Sequence, residues 1–177
     1  MTFLVIAVCL FCFSCNRDAK MRIKSFEERS LIPGLEVENI VTVVSDSGRA
    51  KYRITTADWK VYDKADSPYW EFPKGIFLES FDKELVVQAS IKSKYAMYEE
   101  NTKVWSLKDS VEAVNLSGKK FESEELYWDQ NAEKIYSNKF ITITEKDRII
   151  KGVGFESDQS MEHYIIKKPQ GIFPIDE

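Results

Sequence analysis

The sequence has little of what most catalytic sites require. It contains one histidine, His163, and its three cysteines, Cys9, Cys12 and Cys15, all lie within the first 15 positions. A disulfide, a catalytic thiolate or a cysteine-based zinc site is therefore excluded from the chain after Cys15. The motifs GxSxG, GxGxxG and GxxxxGK[ST] do not occur, so the common signatures of serine hydrolases and nucleotide-binding loops are missing. These absences favour a non-catalytic protein without a cofactor or a metal.

Basic charge is not in excess either. Lysine and arginine number 25 against 29 aspartates and glutamates, which gives a net charge of −4. A protein that neutralises nucleic-acid phosphates usually carries a basic excess, so no nucleic-acid partner is expected. Hydrophobic residues make up 44% of the 177 residues and aromatic residues 13%. This composition supplies a core, and the length allows one ordinary domain.

The N-terminus has the features of an export signal. Residues 3–14 read FLVIAVCLFCFS and carry no charge. This run is shorter than the roughly 20 residues that span a bilayer and is typical of the apolar region of a signal peptide, which we predict over residues 1–14. Cys12-Phe13-Ser14 before Cys15 resembles a bacterial lipobox, which implies acylation of the Cys15 thiol and a membrane lipid anchor. An ordinary cleaved secretory signal and a short uncleaved anchor stay open as alternatives.

The rest of the chain divides into a tether and one domain. Residues 16–35 are polar, mixed in charge and end near Pro33-Gly34, so we predict a lipidated cysteine and polar tether over 15–35. From 36 to 177, short segments rich in Val, Ile, Thr, Tyr, Phe and Trp alternate with polar turns. At about ten residues for each strand and turn, this pattern predicts an all-β domain of roughly 12–14 short strands. The spacing does not choose among a sandwich, a jelly roll and a barrel.

A family resemblance rests on the order and spacing of several motifs. Upstream stand SDSG (45–48) and YWEFPKGI (69–76), and downstream follow VEAVNL (111–116), FESEELYWD (121–129), IYSN (135–138) and IKGVGFES (150–157). Together they resemble the LptC family of periplasmic lipopolysaccharide-export proteins. The resemblance implies an open, twisted β-jellyroll of many short antiparallel strands, of the OstA/LptA-like kind, with an apolar interior groove.

The resemblance also implies a function that is not enzymatic. The protein would receive lipopolysaccharide from an inner-membrane ABC transporter of the LptB2FG type. It would pass the lipid to an LptA-type periplasmic bridge protein through edge-to-edge docking of jellyrolls. The expected location is the periplasm, held at the inner membrane. Family members often carry a spanning helix, whereas this chain has the lipobox-like Cys15.

Apolar strand residues are the candidates for a lipid groove. Each methylene that such a groove removes from water stabilises the bound lipid by about 0.8 kcal/mol, and no catalytic group is needed. For any single residue, a place in a closed core is the alternative explanation. The groove candidates are Tyr52, Ile54, Val87, Ala89, Tyr95, Met97, Trp105, Leu107, Leu116, Phe121, Leu126, Trp128, Phe140 and Phe155.

The edges of an open sheet are candidates for docking, because unpaired strand edges pair readily with another strand. By the resemblance, the C-terminal edge near 148–168 would meet the bridge protein and the N-terminal edge near 39–56 the transporter. Ile150, Gly152 and Gly154 are the edge-strand docking candidates, and the two glycines would permit a bulge or a close backbone approach. Two other functions stay open: a structural or surface-exposed lipoprotein that binds a protein or glycan partner, and a hydrolase built around the single histidine or paired acids.

Overall fold

The fold is all-β, as predicted from the sequence. The structure, a computed structural model, describes residues 30–146 and 148–171. The predicted signal peptide, Cys15 and most of the predicted tether lie outside the described residues. The described strands are β1 (Leu35–Asp46), β2 (Arg49–Tyr62), β3 (Tyr69–Phe72), β4 (Ile76–Phe81), β5 (Val87–Ser93), β6 (Tyr95–Glu99), β7 (Val104–Asn115), β8 (Lys120–Asp129), β9 (Lys134–Glu145), β10 (Arg148–Asp158) and β11 (Tyr164–Gln170).

The strands form one antiparallel sheet in which most consecutive strands pair with each other. β3 and β4 both pair with β2, and β5 and β6 both pair with β7. β3 also pairs with β6, and β4 pairs with β5. β3 and β4 therefore act as one long strand interrupted in its middle, and so do β5 and β6. The described strands at the two ends of the sheet, β1 and β11, do not pair with each other. The sheet is therefore open, and it is not a closed barrel.

The long strands bend at a common level. Their pairing registers shift between Lys108 and Val111, between Ser123 and Tyr127, and across Gly154. The interruptions between β3 and β4 and between β5 and β6 lie at the same level of the sheet. We call this line of bends the fold line, because it divides the sheet into two layers that face each other.

Each layer takes one half of every long strand. Layer A contains β3, β6 and the strand halves paired with them, and layer B contains β4, β5 and the halves paired with those. The two inner faces meet in one core: the ring of Phe121 in layer B lies 5.5 Å from that of Phe155 in layer A. Layer A also holds an aromatic cluster formed by Phe72 and all four tryptophans of the chain, Trp59, Trp70, Trp105 and Trp128.

Buried hydroxyl groups satisfy the backbone where the strands bend. The Thr56 hydroxyl donates to the Gly75 carbonyl oxygen at 2.7 Å, and the Ser123 hydroxyl donates to the Phe140 carbonyl oxygen at 2.8 Å. The Ser137 hydroxyl accepts a backbone N–H two residues further on at 3.0 Å. A bend removes backbone groups from the sheet ladder, and an unpaired buried group costs about 1–3 kcal/mol. These buried polar residues therefore stabilise the fold line.

The described residues form eleven strands, fewer than the 12–14 expected, because several strands are long and β2 alone has 14 residues. The expected polar turns do separate strands, for example at 46–48 and at 117–118. The bulge at Gly154 in β10 was expected, but the bends in β7 and β8 escaped prediction because they use ordinary polar residues. In β7, for example, Asp109 and Ser110 adopt the left-handed conformation at φ 62° and 55°, and no glycine or proline marks the position.

Thr56→Val tests the role of the hydroxyls at the fold line. Valine keeps the shape but removes the donor to Gly75, so the free energy of unfolding should fall by about 1–3 kcal/mol. Thr55→Val is the matched control, because Thr55 is the exposed neighbour on the opposite face. Urea denaturation followed by tryptophan fluorescence measures both. Equal stability of the two variants would contradict the assignment.

Candidate functional site: the slot between the layers

A slot opens between the layers on the side opposite the fold line. It consists of two clefts with volumes of about 600 Å³ and 330 Å³, which share Lys51, Tyr52 and Gln159. The strand ends that border it come from both layers, with Tyr52 from layer B and Trp105 and Trp128 from layer A. The interior of the protein is therefore reached from solvent between the free ends of the two layers.

An aromatic contact separates the two clefts. The rings of Tyr52 and Trp128 meet edge to face with centroids 5.1 Å apart, and the Trp128 indole N–H donates to Gln159 Oε1 at 2.9 Å. Burial raises the pKa of Tyr52 above its ordinary value, while a hydrogen bond with the Gln130 side chain acts in the opposite direction. The Tyr52 phenol is therefore neutral near pH 7, and the centre of the slot carries no charge from it.

Charged residues surround the larger cleft. Lys51 and Lys103 contribute positive charge, and Asp46 and Glu133 contribute negative charge. The Lys103 ammonium nitrogen lies 5.9 Å from the centroid of the Tyr98 ring, which also borders this cleft. An aromatic interior with a charged rim suits a ligand that has both apolar and polar parts.

The layers are tied together at the β11 side of the sheet. There the Tyr164 hydroxyl donates to Glu145 Oε1 at 2.8 Å, and Arg148 Nε lies 2.6 Å from Glu145 Oε2. Hydrogen bonds from Arg148 and Tyr164 hold the pKa of the Glu145 carboxyl below its ordinary value. Burial, and then the hydrogen bond to Glu145, raises the pKa of Tyr164 to about 12.

Most groove candidates point into the interior, but few of them border the slot. Tyr52, Ala89, Trp105 and Trp128 line its clefts. The other inward-facing candidates are packed side chains beneath the slot, in the shared core of the two layers: Ile54, Leu107, Phe121, Leu126 and Phe155.

The other five candidates lie outside the interior. The interruption at Lys94 shifts the alternation of side chains by one residue, so Ala96 and Tyr98 point inward while Tyr95 and Met97 between them point outward. The remaining three are exposed for separate reasons. Leu116 is in the turn after β7, Phe140 is at the fold line and Val87 is the first residue of β5, with exposures of 62%, 46% and 36%.

Residues bordering the slot that the sequence did not single out include Gln130 and Gln159. Gln130 follows β8 and Gln159 follows β10, at strand ends where polar residues are common. No local pattern distinguishes them from other turn residues. Their position at the slot depends on where the two layers meet.

The docking candidates Ile150, Gly152 and Gly154 lie on an internal strand, because β10 pairs with β9 on one side and β11 on the other. The expected edge position is corrected accordingly, and the described edges are β1 and β11. The two expected backbone features do occur: Gly154 forms a bulge with φ +80°, and a side chain at Gly152 would lie 2.6 Å from the Lys168 carbonyl oxygen. Both glycines serve contacts inside the sheet.

Fold and slot together define an open β-jellyroll domain with an apolar interior reached between its two layers. The family model described as Lipopolysaccharide-assembly, LptC-related matches residues 2–167, and the chain belongs to this family. Membership gives the protein a role in lipopolysaccharide assembly and transport in the cell envelope, and the family is one of transport proteins rather than enzymes. A comparison with curated proteins finds no match. Among the described residues, no helix is both long and apolar enough to cross a membrane.

Tyr164→Phe tests the tie between the layers through its pH dependence. A tyrosine whose folded pKa is raised from 10.0 to about 12 stabilises the fold fully below pH 10, and this contribution is lost as the pH rises through about 12. The wild type should therefore lose stability between these values more steeply than Tyr164→Phe, which has no phenol to ionise there. Urea denaturation at a series of alkaline pH values measures the difference. Parallel curves would show that Tyr164 does not hold the layers together.

Proposed function

We propose that this protein binds lipopolysaccharide with its acyl chains in the slot between the layers. It receives the lipid from an inner-membrane ABC transporter of the LptB2FG type and passes it to an LptA-type bridge protein. The observation that carries the proposal is the slot itself, where the half-buried Tyr52 and the edges of the otherwise buried Trp105 and Trp128 lie below a charged rim. The family membership supports lipopolysaccharide as the ligand.

The energetics favour acyl chains as the part that enters. Ten methylenes moved from water into an apolar site contribute about 8 kcal/mol. The rim offers Lys51 and Lys103 to the anionic head of the same molecule. The aromatic interior and the mixed rim thus match the two ends of an amphipathic lipid.

Deeper burial of acyl chains requires the layers to move apart. The candidates beneath the slot, such as Leu107 and Leu126, are closed off by packing, with 1% and 0% of their surfaces exposed. The tie between Tyr164 and Glu145 lies at the β11 side, whereas at the slot the layers meet through the Tyr52 ring and its hydrogen bond with Gln130. At the β1 side, Val44 and Trp70 border the larger cleft. We therefore assign lipid entry to the β1 side, with the fold line as the hinge.

Docking in this proposal uses the two outer strands. Val41 and Val43 of β1 are 64% and 52% exposed, which leaves apolar side chains next to a strand edge that no other described strand pairs with. β11 has exposed Lys167 and Lys168 beside its own edge. A strand from a neighbouring jellyroll can add to either edge by backbone hydrogen bonds, which would align the slots of successive proteins.

Attachment to the membrane completes the proposal. Acylation of Cys15 would hold the domain near the bilayer, since each buried methylene contributes about 0.8 kcal/mol. The first strand begins at Leu35, so a segment of about 20 residues separates the anchor from the domain. We place the anchor in the inner membrane, where the transporter lies.

Photo-crosslinking in cells tests the slot as the lipid site. With p-benzoylphenylalanine in place of Tyr52, ultraviolet light should produce a lipopolysaccharide adduct, detected as a band shift with anti-lipopolysaccharide antibody. Tyr127 is the matched control, because it is also a half-buried tyrosine but lies on the outer face of layer A, stacked on Tyr136. Adducts of equal yield at both positions, or none at Tyr52, would remove the support for the slot.

The same chemistry tests the two docking edges. The photo-reactive residue at Val41 on β1 should crosslink to the transporter, and at Lys168 on β11 to the bridge protein, because backbone pairing brings the partner strand next to each edge. Mass spectrometry of the adducts identifies the partners. If Val41 crosslinked to the bridge protein and Lys168 to the transporter, the assigned direction of transfer would be reversed. If neither position gave a crosslink, edge docking would be contradicted.

A further inference from the structure

We propose that Met161 is a displaceable plug, which occupies the end of the slot until the acyl chains of a lipid replace it. The inference rests on the proposed function. It starts from the loop 159–163 between β10 and β11, which borders the slot: Gln159 lines both clefts and Ser160 lines the smaller one. This loop carries a side chain into the interior.

Met161 is buried in a way that is unusual for a loop residue. Its exposure is 0%, and its side chain belongs to the same core cluster as Phe121 and Phe155. Its neighbour Ser160 is exposed. The backbone at Met161 has φ 55°, a left-handed conformation that is disfavoured for a residue with a side chain. The burial of the thioether side chain is therefore maintained against a local backbone cost.

Polar contacts with layer B hold this loop in place. The Asn115 side-chain amide donates to the Met161 carbonyl oxygen at 3.1 Å, and Lys119 Nζ lies 3.1 Å from Glu162 Oε2. Asn115 and Lys119 flank the turn between β7 and β8, at the free end of layer B. The loop thus crosses the opening, and it can be released by breaking a few polar contacts without disrupting a strand.

The chemistry of methionine suits a plug that a lipid displaces. Its side chain is unbranched, flexible and apolar, so it resembles a short piece of acyl chain. Release of the loop would also move Gln159, which accepts the hydrogen bond from Trp128 at the centre of the slot. Displacement of Met161 and loosening of the Tyr52–Trp128 contact would therefore occur together.

Oxidation of methionine gives a direct readout. The full-length protein in lipid nanodiscs is treated briefly with hydrogen peroxide, with and without purified rough-type lipopolysaccharide, and sulfoxide formation is measured by mass spectrometry. Lipopolysaccharide should raise the oxidation rate of Met161 at least five-fold, because the displaced side chain becomes exposed. Met97 is the internal control, since it lies half-buried on the outer face of layer A and its rate should not change.

A pair of matched variants tests the contacts that hold the loop. Glu162→Ala removes the ion pair with Lys119 and the hydrogen bond from the Asn115 amide. It should raise the oxidation rate of Met161 in the absence of lipopolysaccharide and tighten lipopolysaccharide binding. Glu156→Ala is the control, because Glu156 forms a similar ion pair with Lys134 and has a side-chain exposure of 39% against 37% for Glu162. It should change neither quantity.

The outcomes separate this inference from the proposed function, because binding of lipopolysaccharide is measured on the same samples. If the lipid binds while Met161 stays protected, the plug is refuted and the function stands. If no lipopolysaccharide binds to the wild type or to Glu162→Ala, the proposed function fails, and the plug fails with it. If Glu162→Ala and Glu156→Ala had the same Met161 oxidation rate and the same lipopolysaccharide affinity, the role of the Glu162 contacts in holding the plug would be refuted.

Discussion

The alignment of the bends in neighbouring strands is the constraint on which the rest of the structure depends. A sheet can fold over on itself only if every strand bends at the same level, because a bend in one strand alone would break its pairing with both neighbours. Each bend also removes backbone groups from the ladder inside a dry core. Thr56, Ser123 and Ser137 supply the missing hydrogen bonds at these positions, so a small number of buried hydroxyls makes a continuous two-layer sheet compatible with a packed interior.

The slot follows from this arrangement. The layers are joined covalently along the fold line, while their opposite ends meet only through side chains such as Tyr52 and Trp128. Side-chain contacts are easier to separate than strands are to unpair, so the free ends are the part of the molecule that can yield to a ligand. The ties through Tyr164 and the loop containing Met161 lie at the β11 side, and for this reason we propose lipid entry at the β1 side.

Prediction of the inward-facing residues failed at Tyr95 and Met97 because an interruption displaced the period-two pattern, and at Val87 and Leu116 because they lie at or beyond strand ends. Trp105 and Leu107 precede the bend in β7, and both are buried as expected. Tyr95 and Met97 follow the interruption at Lys94, after which the alternation is displaced by one residue and the side chains face outward. A one-residue shift reverses the face of every residue beyond it, and Lys94 itself gives no local sign of the shift.

The sequence by itself determined the all-β class, the positions of the turns, the supply of aromatic residues for the core and the family resemblance, because these depend on local composition and on the order of motifs. Only the tertiary structure decided which strands are edges, which aromatic residues border the slot and which loop lies beside it. The family resemblance implied an edge near 148–168, and within that range β10 is internal because β11 pairs with it. Gln159 reaches the slot and Met161 reaches the core for the same physical reason: their positions depend on contacts between layers that are distant along the chain.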